Sequence, residues 1–211
     1  MCADALTIEK RLPSDPAELK RILRSEIRQA RNSRSPHSHR DSGLRLAEVA
    51  LSIPELQTAK VVALYAARAT EPQTQPLLSS LHKQGKDVLL PVLSDSLQRC
   101  WAHYQGAADL QERSPMRPPE PSGTPLPAKS LQDADFIIVP ALAVDSTGTR
   151  LGQGGGWYDR TLKEAKEGTL KFVFVYPEEF YKEEDFQLPL EDHDQQIDGV
   201  ITTKGWHLLG V

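Results

Sequence analysis

The chain has 211 residues, 39% hydrophobic and 26% charged, with a net charge of −4 at pH 7. That length suits one substantial domain, the composition excludes a disordered chain, and the charge offers no global basic field for nucleic acid or an anionic membrane. Cys2 and Cys100 support neither a disulfide framework nor a metal cluster. Met1–Lys10 lacks the apolar run of a secretory signal, and no stretch approaches the ~20 apolar residues of a membrane span. A soluble, cytoplasmic protein is the expectation.

Residues 1–13 show no periodic pattern and read as flexible. The first element starts at Asp15-Pro16-Ala17-Glu18, where Asp15 can cap, Pro16 fits the first turn and Glu18 completes a capping-box pattern. Leu19, Ile22, Leu23 and Ile27 recur at helical spacing as a buried stripe, while Lys20, Arg24 and Arg28 form a second, basic stripe. A Ser/His/Arg-rich turn over Ser33–Asp41 leads to a second helix, Gly43 to Ser52, stopped by Pro54.

Lys60–Ala66 and Asp87–Leu93 read as buried strands flanking a helix over Gln75–Gln84, with Thr74 as its cap. Trp101–Tyr104 begins another strand. Gln105–Leu131, rich in Pro, Gly and Ser, reads as a long functional loop. Phe136–Pro140 and Leu170–Tyr176 are further continuous apolar runs, separated by a helix from Trp157 to Glu167. Continuous strands alternating with helices predict an α/β fold: a single three-layer domain over 1–211, with a mostly parallel sheet and helices on both faces, Rossmann-like.

Between the last two strands lies Arg150-Leu151-Gly152-Gln153-Gly154-Gly155-Gly156-Trp157-Tyr158-Asp159-Arg160. Successive glycines let the backbone turn its N–H groups inward as an anion nest, the following helix adds N-terminal donors, and Arg150 adds a planar charged fork. A purely structural turn is the alternative. The run is neither a Walker A loop nor a dinucleotide fingerprint.

This block, with Val139-Pro140 and Asp145-Ser146-Thr147-Gly148 ahead of it, resembles the 5-formyltetrahydrofolate cyclo-ligase family, also called methenyltetrahydrofolate synthetases. Weaker likenesses run through Lys20–Arg24, Tyr65–Glu71, Gly85–Pro91, Glu120-Pro121 and Leu188–Thr202. The resemblance implies an ATP- and Mg²⁺-dependent reaction. ATP phosphorylates the formyl oxygen of 5-formyltetrahydrofolate, N10 closes onto the activated carbon, and phosphate leaves, giving 5,10-methenyltetrahydrofolate, ADP and phosphate. Such chemistry asks mainly for positioning and charge neutralisation.

Residue by residue, the resemblance implies ATP binding by Lys20, Arg24, Arg150, Gly152, Gln153, Gly154, Gly155, Gly156, Trp157 and Tyr158. Arg150 and Tyr158 are the catalytic candidates, and Asp159 and Asp194 the magnesium ligands. It also implies contact of Glu71, Tyr65 and Ala66 with the reduced folate, polyglutamylated or not. Trp101 is either a stacking surface or a core aromatic. Many members carry Lys where this chain has Gly155, a Tyr where it has Trp157, and Gln near Glu178-Glu179. Arg28 reads as a solvated residue, as do His37, His39 and His193. A monomer with no nucleic-acid or membrane partner is expected. Two other readings stay open: a non-catalytic folate- or nucleotide-binding paralogue, and, by fold analogy, an isomerase or transferase for sugar phosphates or CoA esters.

Overall fold

The computed structural model describes residue 13 and residues 15–94, 96, 98–114 and 117–210. Cys2 and the expected flexible segment, Pro13 apart, lie outside the described residues. The elements in chain order are α1 (Pro16–Asn32), α2 (Pro36–Ala50), α3 (Pro54–Thr58), β1 (Val61–Ala63), α4 (Gln75–Lys83), β2 (Asp87–Leu93) and β3 (Arg99–His103). Three two-residue strands follow: β4 (Leu110–Gln111), β5 (Glu120–Pro121) and β6 (Leu126–Pro127). Then come β7 (Phe136–Pro140), β8 (Ala143–Asp145), β9 (Arg150–Leu151), α5 (Trp157–Thr161), β10 (Leu170–Phe174), β11 (Phe180–Tyr181), β12 (Gly199–Thr202) and β13 (Gly205–Leu208).

Eight strands form the main sheet in the order β13-β12-β10-β7-β1-β2-β3-β6. The five central strands, β12 to β2, are mutually parallel, and antiparallel strands close both edges. Burial on both faces explains the unbroken apolar runs in β2, β7 and β10. Their side chains alternate between two cores. Val62, Phe136, Ile138, Phe172 and Phe174 meet Leu46, Ala50, Leu77 and Leu81 of α2 and α4. Ala63, Ile137, Val139 and Val173 point the other way, toward Leu131, Leu162 and Trp101. This second layer is thin, built from α5 and single 3₁₀ turns at Ala128–Asp133 and Leu162–Glu164. The helix expected to reach Glu167 therefore ends as α5 at Thr161 before tightening into one of those turns.

Four further expectations change. α2 begins at Pro36, inside the expected turn, because Ser35 Oγ accepts from the Ser38 N–H at 3.2 Å and Pro36 opens the helix. Thr74 stands at the N-cap position of α4 but its side chain does not cap the helix; its hydroxyl donates to the Tyr65 carbonyl at 2.7 Å and accepts from the Ala67 N–H at 3.1 Å. β1 is correspondingly shorter than Lys60–Ala66, since the chain bends past Leu64 around that bridge. The stretch 105–131 is not a plain loop: β4 pairs with β5, and β6 extends the sheet beyond β3.

His39, expected on the surface, is buried on α2 with Nδ1 2.8 Å from the Tyr176 hydroxyl. Burial, with Arg34 beside it, lowers its pKa. A pKa lower in the folded than in the unfolded state means stability is intact above ~6.5 and declines as pH falls through the folded value. Thermal unfolding followed from pH 7.5 to 5 is expected to show that decline, and His39→Gln to remove it.

α1 packs separately. Leu23 and Ile27 meet Leu142, Ala143 and Leu151 of the small β11-β8-β9 sheet. The hairpin β8–β9 is pinned by buried Asp145, whose Oδ1 accepts from Thr147 N, Thr147 Oγ1 and Thr149 N at 3.0, 2.6 and 3.0 Å. Its Oδ2 accepts from the Leu188 N–H at 2.9 Å. This turn returns the chain so that Arg150 enters the interior immediately before the glycine run.

Candidate functional site

From β1 the chain leaves through α4 toward β2, whereas from β7 it leaves toward β10 on the opposite side. The diverging connections open a crevice at the carboxyl ends of β1 and β7, the position where open α/β sheets take ligands. A cavity of about 720 Å³ lies there. Its walls come from α1, the segment after β1, the end of β2, the end of β7, residues 117–120, the glycine run with α5, and 191–194.

Most of the proposed residues meet on this cavity. Lys20 and Arg24 of α1, Tyr65 and Glu71, Arg150, Gly152 through Asp159, and Asp194 all line it. Ala66 and Trp101 do not. Ala66 is core beneath α2 and α4, and Trp101, 1% exposed, packs edge-on behind Trp157 at 5.1 Å between ring centroids. Trp101 is thus a core aromatic supporting a cavity wall.

The glycine run has the geometry its composition implies. Gly154 and Gly156 have φ of 98° and 60°, conformations that side chains strain. A Cβ on Gly152 would lie 2.8 Å from Arg150 Nη1. Arg150 is buried under the loop, where Nη2 donates to Asp159 Oδ1 at 2.5 Å and Nη1 to the Pro140 carbonyl at 3.3 Å. Among the described residues its Nε is buried without a partner. Arg24 Nε donates to the Gly152 carbonyl at 2.9 Å. Burial, then Arg28, lowers the Arg24 pKa, while Asp194, Glu191 and Asp159 oppose the shift. Arg28 is exposed but not idle, since its Nη2 donates to the Gln153 carbonyl at 2.8 Å.

Buried Lys20 donates to Glu191 Oε2 and Asp194 Oδ2, both at 2.6 Å. Glu191, His193 and Asp194 place their ligand atoms within 4.8 Å of one another, a donor set suited to a divalent cation. Asp159 stands outside that trio, paired with Arg150. Three cations (Lys20, Arg24, Arg150) therefore interleave with three carboxylates (Glu191, Asp194, Asp159), a surface fitted to a ligand carrying both phosphate charge and a metal ion.

Opposite the loop, buried Glu71 accepts from Arg68 N at 3.0 Å, Arg68 Nη2 at 3.2 Å and Gln153 Nε2 at 3.0 Å. It ties the glycine run to the segment after β1. Burial first, and Glu71 second, hold the Tyr158 hydroxyl pKa well above its usual range, so the phenol is a donor. Burial does the same to Tyr65, whose hydroxyl donates to the Pro72 carbonyl at 3.2 Å. The sequence reading missed Arg68, Glu120, Arg160, Lys163 and Glu191, all on the cavity. Of these, Arg68, Glu120, Arg160 and Glu191 lay inside quoted stretches without being given a role, and Lys163 lay outside them.

The sequence profile of the 5-formyltetrahydrofolate cyclo-ligase family matches residues 16–203. A 5-formyltetrahydrofolate cyclo-ligase of Mycolicibacterium smegmatis is 36% identical over 69% of this chain and 74% of its own. One of Escherichia coli is 31% identical over 85% of this chain and 98% of its own. The NMR structure of Aquifex aeolicus 5,10-methenyltetrahydrofolate synthetase superposes with a TM-score of 0.75 at 29% identity, covering 90% of this chain and 93% of that one. Sequence profile, curated relatives and fold agree: the chain belongs to the 5-formyltetrahydrofolate cyclo-ligase family.

Proposed function

We propose that this protein converts 5-formyltetrahydrofolate to 5,10-methenyltetrahydrofolate at the expense of ATP, with Mg²⁺, in the cytoplasm and as a monomer. The observation that carries the reading is the convergence of Lys20, Arg24 and Arg150 with the Gly152–Gly156 backbone on one cavity at the sheet's switch point. Lys20, Arg24, the glycine run, Trp157 and Tyr158 bind the nucleotide. Arg150 neutralises charge that builds on the transferring phosphoryl group, and the protonated Tyr158 donates beside it. Asp159 and Asp194 would hold magnesium, with Glu191 next to Asp194, and a cation there would supply charge neutralisation for the phosphates. Tyr65 and Glu71 shape the folate side of the cavity. The reaction class predicts that ADP release depends on the formyl group: 5-formyltetrahydrofolate triggers it and 5-methyltetrahydrofolate does not. Equal ADP release with either compound, or with neither, counts against a cyclo-ligase.

Gly155 gives a second test, because it favours the rival reading of a binding-only paralogue. A Cβ there meets nothing within 4 Å, and its φ is not in the left-handed region, so a side chain is accommodated. Arg160 and Lys163 line the same cavity and have no ion pair among the described residues. They supply the charge that Lys gives other members. Gly155→Lys is therefore expected to raise kcat by less than roughly tenfold, a barrier change within about 1.4 kcal/mol. A gain above a hundredfold from near-zero turnover identifies a binding module instead.

A further inference from the structure

Three buried carboxylates in this protein are saturated with hydrogen bonds. Asp145 accepts four, from Thr147 N, Thr147 Oγ1, Thr149 N and Leu188 N. Glu71 accepts three, and Glu179 accepts from Arg31 Nε, Arg31 Nη2 and Tyr176 N. Glu120 is the exception. It is 3% exposed, and among the described residues its carboxylate accepts no hydrogen bond. Oε2 is cut off from solvent, and Arg113 Nε stands 3.7 Å away, beyond bonding distance. A buried, unpaired acceptor is expensive and is retained where a partner arrives from outside the chain.

The fold delivers that carboxylate to the ligand. β5 pairs with β4 and packs against β2, which sets Glu120 on the cavity wall together with Pro91, Val92, Leu93 and Pro118. Pro91, Val92, Leu93 and Pro118 beside the Glu120 carboxylate suit a flat heterocycle whose edge donates N–H bonds, with Arg117 on the same wall. A 2-amino-4-oxo ring presents an amino group and a ring N–H side by side, donors for a carboxylate on the cavity wall. Glu71, with three of its acceptor positions filled, has little capacity left for that task. We propose that Glu120 is a substrate-recognition residue, its buried carboxylate accepting the N–H donor edge of the folate heterocycle. The inference rests on the folate reading above.

Glu120→Gln keeps the shape of the side chain but replaces one acceptor oxygen by a donor. Calorimetric titration of wild type and variant, with 5-formyltetrahydrofolate and separately with ADP and Mg²⁺, distinguishes the roles. The expected result is a 10- to 100-fold rise in the folate Kd with the ADP Kd unchanged within twofold. The melting temperature is expected not to fall, because the variant keeps the side chain's shape and Arg113 stands 3.7 Å from Oε2, beyond hydrogen-bonding distance. A 2-desamino analogue, lacking one of the two donors, is expected to show a smaller difference between the two proteins. Unchanged folate affinity in the variant overturns the assignment while leaving the family reaction in place. A parallel loss of folate and ADP affinity with a lowered melting temperature also overturns it, in favour of a structural role. A wild type that binds ADP but no reduced folate overturns the folate reading itself.

Discussion

Arg150→Met is expected to lower kcat/KM by roughly 10³-fold, the scale for removing a preorganised cation from a phosphoryl-transfer site. Arg150 is positioned by its surroundings: 3% side-chain exposure, a 2.5 Å pairing with Asp159, and a loop whose Gly152 has no room for a Cβ beside it. A cation held this way needs little reorganisation, and among the described residues its Nε is buried without a partner. The substitution also frees Asp159, so ADP with magnesium is expected to bind more weakly while 5-formyltetrahydrofolate alone binds as before. Arg150→Lys restores charge without the planar fork and is expected to recover only part of the loss. Steady-state kinetics beside circular dichroism check this, and a Met variant that is folded with near-normal turnover contradicts the role.

Arg31→Met is expected to give the largest loss of stability, about 3–5 kcal/mol. The guanidinium, 2% exposed, lies at the end of α1 and donates from Nε and Nη2 to Glu179 at 2.7 and 2.8 Å. It also donates to the Ala141 carbonyl at 2.7 Å. The pair clamps α1, which carries Lys20 and Arg24, to the segments leaving β7 and β10. Removing the cation strands a buried carboxylate. For a chain of this length the midpoint of thermal unfolding is expected to fall by roughly 6–20 °C. The double variant Arg31→Met/Glu179→Leu is expected to recover most of that, because replacing a whole buried pair by apolar groups is near neutral. A double variant no better than the single one contradicts the ion-pair account.

How much of this was legible in the sequence follows from the range of each interaction. β2 and β7 match the apolar runs Asp87–Leu93 and Phe136–Pro140 residue for residue, because strands buried on both faces leave no polar interruption. The start of α2 was lost because His37, Arg40 and Asp41 mask a cap at Ser35-Pro36 that acts within one turn. The glycine run was legible because its conformational demand is local. The partners of Lys20, 171 and 174 residues away, were not, and neither were Arg31 with Glu179 or the isolation of Glu120. Those depend on how α1, the β8–β9 hairpin and the 105–131 segment fold onto the sheet. Trp101 stayed ambiguous for the same reason, since an aromatic in a strand does not reveal which side of a cavity wall it occupies.

The central claim is a reaction at the Arg150–Asp159 loop, and product formation tests it most directly. Absorbance of 5,10-methenyltetrahydrofolate is followed after mixing the protein with 5-formyltetrahydrofolate, ATP and Mg²⁺, and with each component omitted in turn. The expected result is methenyl product, matched one for one by ADP, only when all three are present. Tight ADP binding with no methenyl product at any magnesium concentration contradicts the account.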